Sequence, residues 1–87
     1  MSEALALVVE LCGKLADVQG REITVPIPAA GCTAASLLDR LREGFPALAP
    51  LLVPGKVRVC INEAIAPADG LARPGDLVAL FPPVSGG

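Results

Sequence analysis

Apolar and polar positions alternate from Ala4 to Leu11, with Leu5, Leu7, Val9 and Leu11 on one face and Ala4, Ala6, Val8 and Glu10 on the other. A period of two predicts a strand with an apolar inner face. Gly13 and Gly20 bracket Lys14 to Gln19, enough for a single helical turn, and alternation resumes over Arg21 to Ile27 through Ile23, Val25 and Ile27. Two such runs predict a hairpin-like pair. Pro26 has no N–H to give to a ladder and falls on the face opposite the isoleucines, which places the second strand at a sheet edge.

Pro28-Ala29-Ala30-Gly31 breaks the pattern, and the period then becomes helical. Thr33 offers an N-cap hydroxyl ahead of Ala34, Leu37, Leu38 and Leu41, which share one helical face. The predicted helix runs from Ala34 to Glu43, with Gly44 as its C-cap and Pro46 barring continuation. Ala47 to Val53, interrupted by Pro50, predicts a short irregular helix or a packed loop. Beyond a Pro54-Gly55 turn, Val57, Val59 and Ile61 mark a third strand. Asn62-Glu63 turns tightly, because Asn tolerates positive φ, into a short return strand over Ala64 to Ala66. Arg73-Pro74-Gly75-Asp76 sets Pro and Gly at the centre of a type II turn before a last strand, Leu77 to Phe81. A helix between strands of one sheet implies a right-handed crossover joining parallel neighbours. The expected class is therefore α+β, a mixed sheet packed on one main helix, with Leu7, Val9, Val25, Leu37, Leu41, Val59, Ile61 and Val78 in the core.

At 87 residues the chain is one domain's worth, able to bury roughly 63% of its unfolded surface. A hydrophobic share of 53% against 18% charged residues argues against disorder. Phe45 and Phe81 are the only aromatic residues, so the chain lacks a stacking platform for bases. Seven basic residues against nine acidic give a net charge of -2, without the positive field a phosphate backbone requires, and nucleic acid is excluded as a partner. The longest charge-free window, Ile23 to Leu38, contains two prolines and a glycine and is shorter than the ~20 residues of a spanning helix. Met1-Ser2-Glu3 is acidic where a signal peptide is basic. These features predict no membrane association and a cytoplasmic location. Cys12, Cys32 and Cys60 are far apart and the chain has no His, so zinc-ligand spacing and an activated catalytic thiol are both missing; they read as core or loop residues. Asp69 and Asp76 each adjoin a turn glycine and read as backbone-bonding turn residues, with no metal site expected.

After Phe81 the chain reads Pro82-Pro83-Val84-Ser85-Gly86-Gly87. The double proline ends the strand, since neither residue can donate a backbone hydrogen bond. Gly86 and Gly87, without Cβ atoms, make a backbone thin enough for a narrow tunnel. The expected organisation is a compact domain over residues 1–81 and an extended, flexible tail over residues 82–87, with the Gly87 carboxylate as the candidate reactive group. This tail, together with Gly13-Lys14-Leu15, Thr33 before a leucine-rich helix, Phe45-Pro46, Val59-Cys60-Ile61-Asn62-Glu63 and the run from Pro74 to Phe81, resembles the ubiquitin-like sulfur-carrier (MoaD/ThiS) family, and within it the small subunits of molybdopterin synthases.

The resemblance implies a β-grasp fold and a defined chemistry. A carboxylate is anionic and has no leaving group, so it must be activated before sulfur can enter. By resemblance, a ubiquitin-activating-type adenylyltransferase uses ATP and Mg to adenylate Gly87, and a sulfur donor converts the acyl adenylate to a thiocarboxylate. Pro82, Pro83, Val84, Ser85 and Gly86 then thread into the large catalytic subunit of molybdopterin synthase, where sulfur passes to a pyranopterin precursor to form the dithiolene of the molybdenum cofactor. The chain would bind no cofactor itself and would donate sulfur while its partners supply acids and bases, in keeping with its lack of His or clustered carboxylates. Phe81 and Ile65 are the implied partner-binding residues. Cys12 and Ala16 depart from the Phe and the basic residue that relatives often carry at positions facing their partners. Three other readings share parts of this pattern: a carrier for thiamine or cysteine synthesis, a modifier joined through its terminal glycine to lysines, and an adaptor that binds through its sheet. The ending and the residues around Pro46 to Pro54 favour molybdopterin.

Overall fold

In the computed structural model, which describes residues 4–53 and 55–82, the two alternating segments form strand β1 (Ala4–Leu11) and strand β2 (Glu22–Pro28). They pair antiparallel, with Leu7 opposite Val25 and Val9 opposite Ile23, so the buried faces coincide. Helix α1 (Lys14–Gln19) joins them and buries Leu15. There follow β3 (Cys32–Thr33), α2 (Ala34–Gly44), a 3-10 helix (Ala49–Leu51), β4 (Arg58–Ile61), β5 (Ala64–Ala66), β6 (Leu71–Ala72) and β7 (Val78–Phe81). The main sheet has the order β2-β1-β7-β4-β5, with β2 at an edge, where its two prolines leave no ladder bond unmade on the open side. Only β1 and β7 run parallel, and the mixed sheet follows from the helical crossover between them.

Thr33 caps α2 as its sequence position implies: its Oγ1 accepts the Ser36 N–H at 3.1 Å. Ala34, Leu37, Leu38 and Leu41 are buried under the helix, against Leu7, Val9, Val25, Val59 and Val78 from the sheet. Leu48 and Leu52, flanking the 3-10 helix, are fully buried and close one end of the core.

Several expectations need correction. Gly44 lies inside α2, and Phe45 is the C-cap, its N–H donating to the Leu41 carbonyl at 2.8 Å. Leu5 does not join the core and is 42% exposed, because β7 pairs with β1 only over Val9 to Leu11 and leaves the first half of β1 beside β2 alone. Ile61 packs against the core from its margin. The two-residue strands β3 and β6 pair Cys32 with Ala72 and Thr33 with Leu71, a pairing too short to leave any periodicity in the sequence. The expectations for Pro54, Pro83, Val84, Ser85, Gly86 and Gly87 concern residues outside those described.

Candidate functional site

Side chains alternate across a strand, so burying Val9, Val78, Leu80 and Val59 turns Val8, Glu10, Ala79, Phe81, Arg58 and Cys60 to the outer face of the sheet. Phe81 stands opposite Arg58, and Cys60 stands between Ala79 and Ile65, so one surface extends from the central strand to the edge. Phe81 is 39% exposed and Ile65 63%. The two are not in one hollow. Phe81 lines a concavity of about 420 Å³ with Val8, Cys60, Leu77 and Ala79, while Ile65 borders a separate groove of about 300 Å³ at the sheet edge with Ala34, Leu38 and Val57.

The rim of the larger concavity is acidic: Glu10, Glu22, Glu63 and Asp76. Its lower lip is fixed by the β4–β5 turn, in which Asn62 (φ 52°) and Glu63 (φ 71°) are both left-handed. Asn62 Oδ1 accepts the Leu77 N–H at 3.0 Å, and Asn62 Nδ2 donates to Asp76 Oδ1 at 3.3 Å. Asp76 Oδ2 in turn accepts the Arg73 N–H at 2.8 Å. The Arg73 backbone donor first, and the Asn62 amide second, hold the Asp76 carboxyl below the usual carboxylate range. Asp76 is therefore the turn residue its sequence context implies.

The tail departs from the middle of the sheet. The Cys12 N–H donates to the Leu80 carbonyl at 3.1 Å, carrying the β1–β7 pairing one residue past β1. Pro82 then packs over Gly13, where an added Cβ would stand 3.0 Å from Pro82 Cγ. Gly13 adopts φ 58°, ψ −133°, a conformation open to glycine and closed to residues with a side chain. Of the threading residues only Pro82 is among those described.

All three cysteines are free. Burial, then Glu10 and Cys60, push the Cys12 thiol up, and burial outweighs Arg40 in pushing Cys32 up. Both are protonated at neutral pH and poor nucleophiles. Val8 and Leu77 were not singled out from the sequence, although the unusually apolar outer set Ala4, Ala6 and Val8 was a visible signal. The acidic rim depends on strand register and gave none.

A five-stranded mixed sheet around one main helix, with its outer face open and Pro82 following the central strand, defines a ubiquitin-like β-grasp protein. The model of the ThiS family matches residues 9–87, and the chain belongs to this family of sulfur carriers. It is similar to the molybdopterin synthase sulfur carrier subunit of Haemophilus influenzae, at 36% identity over 55 residues covering 63% of this chain and 68% of that protein. Among solved structures it resembles SAMP1 of Haloferax volcanii, at 30% identity and a TM-score of 0.76 over 94% of this chain and 99% of the other. A putative molybdopterin converting factor subunit 1 from Pyrococcus furiosus, at 17% identity, shares the fold with a TM-score of 0.76 over 92% of this chain and 99% of that one. No helix among the described residues is long and apolar enough to cross a membrane.

Proposed function

We propose that the chain is the sulfur-carrying small subunit of a molybdopterin synthase. The observation that carries this reading is the placement of the tail root: Pro82 leaves the central strand beside an exposed apolar face, so a partner gripping that face receives the tail at a fixed point. The likeness to the Haemophilus influenzae carrier subunit supports the choice of pathway. An adenylyltransferase couples the Gly87 carboxylate to AMP with release of pyrophosphate, using ATP and Mg held by that enzyme. A sulfur donor then displaces AMP to leave a thiocarboxylate. Docked on the large catalytic subunit, the five residues beyond Pro82 reach at most about 17 Å, and the thiocarboxylate sulfur passes to the pyranopterin precursor as water cleaves the acyl C–S bond and returns Gly87 to a carboxylate. Phe81 and Ile65 grip the partners, and Pro83, Val84, Ser85 and Gly86 occupy its tunnel.

The test is the intact mass of the chain after incubation with the adenylating enzyme, ATP and a sulfur source, followed by addition of the large subunit and precursor. A species heavier by the oxygen-to-sulfur difference, consumed as dithiolene forms, is expected. Deleting Gly87 leaves the acyl carbon one residue short and should abolish both events without changing the unfolding midpoint. Cofactor formed at the wild-type rate by that variant would falsify the proposal.

The likeness to SAMP1, the small archaeal modifier protein 1 of Haloferax volcanii, supports a second reading as a protein modifier. Lysine-linked conjugates of the chain in extracts of its source cells would establish it. A carrier for thiamine or cysteine synthesis would be loaded identically and is distinguished by the acceptor that discharges it.

A further inference from the structure

The outer face is apolar at its centre and acidic at its rim, and three of the rim positions hold acids where the fold disfavours them. Glu10 and Glu22 stand directly opposite each other on β1 and β2, and like charges in that position destabilise a strand pair. Glu63 occupies a left-handed position, at φ 71°, that glycine fills without strain. None of the three carboxylates forms an ion pair among the described residues. Among the described residues the one ion pair is Arg42 with Asp39, on α2, away from this face. Arg58, across from Phe81 on the same outer face, lies outside the concavity, and Arg21 shares the neighbouring depression by Gly13 with Glu10 and Glu22 without an ion pair to either.

We infer that this face is built for a protein partner whose own apolar contact is ringed by Lys and Arg, and that the Glu10, Glu22 and Glu63 carboxylates steer that partner onto Phe81 and Leu77 before the tail engages. The inference rests on the carrier reading and specifies the surface of the enzymes that reading requires. Charge complementarity selects the occupant. A second copy would set four acids against four acids across one apolar contact, with one Arg58 on each copy to offset them, and an anionic membrane would be repelled by the same excess of acids. A basic-rimmed partner gains long-range attraction, which accelerates encounter. It also relieves the Glu10–Glu22 repulsion on contact, so part of the local destabilisation is recovered only in the complex.

The experiment uses the full chain and the source organism's large synthase subunit, labelled for stopped-flow fluorescence, with salt varied from about 20 to about 300 mM so that the screening length falls through the width of the rim. For the wild type the association rate should drop at least about tenfold over that range. A variant carrying Glu10→Gln, Glu22→Gln and Glu63→Gln should associate about tenfold more slowly at low salt and lose the salt dependence, with little change in dissociation. Its denaturant midpoint should be no lower than that of the wild type, which separates lost steering from lost folding. Phe81→Ala should instead speed dissociation.

Wild-type binding that is indifferent to salt and to the triple substitution overturns the acidic-rim inference while leaving the carrier reading intact. Sedimentation showing a wild-type dimer that Phe81→Ala dissociates overturns it in favour of a second copy. No association of wild type with the large subunit overturns both readings together.

Discussion

Replacing Gly13 by Ala tests the point at which fold and tail meet. At φ 58°, ψ −133°, residue 13 lies where an L-residue is strained, at a cost of about 1–3 kcal/mol. The new Cβ would also stand 3.0 Å from Pro82 Cγ, inside the ordinary carbon separation of roughly 3.5–4.0 Å, against a ring that cannot rotate away. Taking about 2 kcal/mol for the backbone and about 1 kcal/mol for the contact, the total is about 3 kcal/mol, close to the typical cost of a serious point substitution. A domain of this size has roughly 4–13 kcal/mol of stability, so the variant should remain folded while its Tm falls by about 12–24 °C.

Gly20→Ala is the control: its φ is 96°, and an added Cβ meets nothing within 4 Å, so it carries the backbone component alone. Pro82→Ala removes Cγ, and in the Gly13→Ala background it should restore the contact component, giving a coupling of about 1 kcal/mol in a double-mutant cycle read by calorimetry. Additive effects within about 0.3 kcal/mol would mean that Pro82 does not rest on Gly13. Because the clash is at the tail's first residue, Gly13→Ala should also slow sulfur transfer to the large subunit at saturating concentrations by more than its loss of folded fraction at 25 °C accounts for.

Leu41 is fully buried on α2, and Leu41→Ala should cost about 2–5 kcal/mol in urea unfolding; a near-neutral result would mean the helix turns a different face to the sheet. Asp76 is held ionised in the fold, so its stabilisation is complete above the unfolded carboxyl value of 3.8 and is lost as pH falls through the depressed folded value. Asp76→Asn should flatten the acid limb of the stability profile, and an unchanged limb would contradict the hydrogen bonds from Arg73 and Asn62. A chain with Cys12→Ser, Cys32→Ala and Cys60→Ser should still gain the mass of a thiocarboxylate; loss of loading in a folded protein would move the sulfur chemistry to a thiol.

The strands and the main helix were legible because their burial is one-sided: Leu7, Val9 and Val25 recur every second residue, and Leu37, Leu38 and Leu41 recur with the helical turn. Turn chemistry was equally legible, since Asn62 tolerates positive φ and Pro74-Gly75 favours a tight turn, with Gly75 at φ 94°. Three features were hidden. The β3–β6 pair has two residues per strand, fewer than a period needs. The end of α2 at Phe45 instead of Gly44 depends on a backbone bond to Leu41, which no residue type announces. The proposed docking face depends on which strands are neighbours: Phe81 was visible as apolar, but its company with Val8 and Leu77 inside an acidic rim requires β1 and β7 to be adjacent and parallel.

That adjacency also explains why the tail leaves from β7 and not from an edge. A terminal strand with neighbours on both sides is held in register by the Val9–Val78 to Leu11–Leu80 pairing on one side and the Arg58–Phe81 to Ile61–Val78 pairing on the other. Slippage by one residue would turn Val78 and Leu80 outward and Phe81 inward, so the hydrophobic core itself fixes the height of Pro82 above the sheet. A partner that binds the face around Phe81 thereby confines the start of a five-residue tail, and the translational freedom that two separate reactants would lose is already surrendered in docking. On the proposed carrier reading the acids and bases come from the partners, and Cys12 and Cys32, both raised by burial, supply no thiolate at neutral pH. On the carrier reading what the domain contributes is position: a strand end paired on both sides, an exposed apolar face beside it, and the acidic rim proposed to steer the partner.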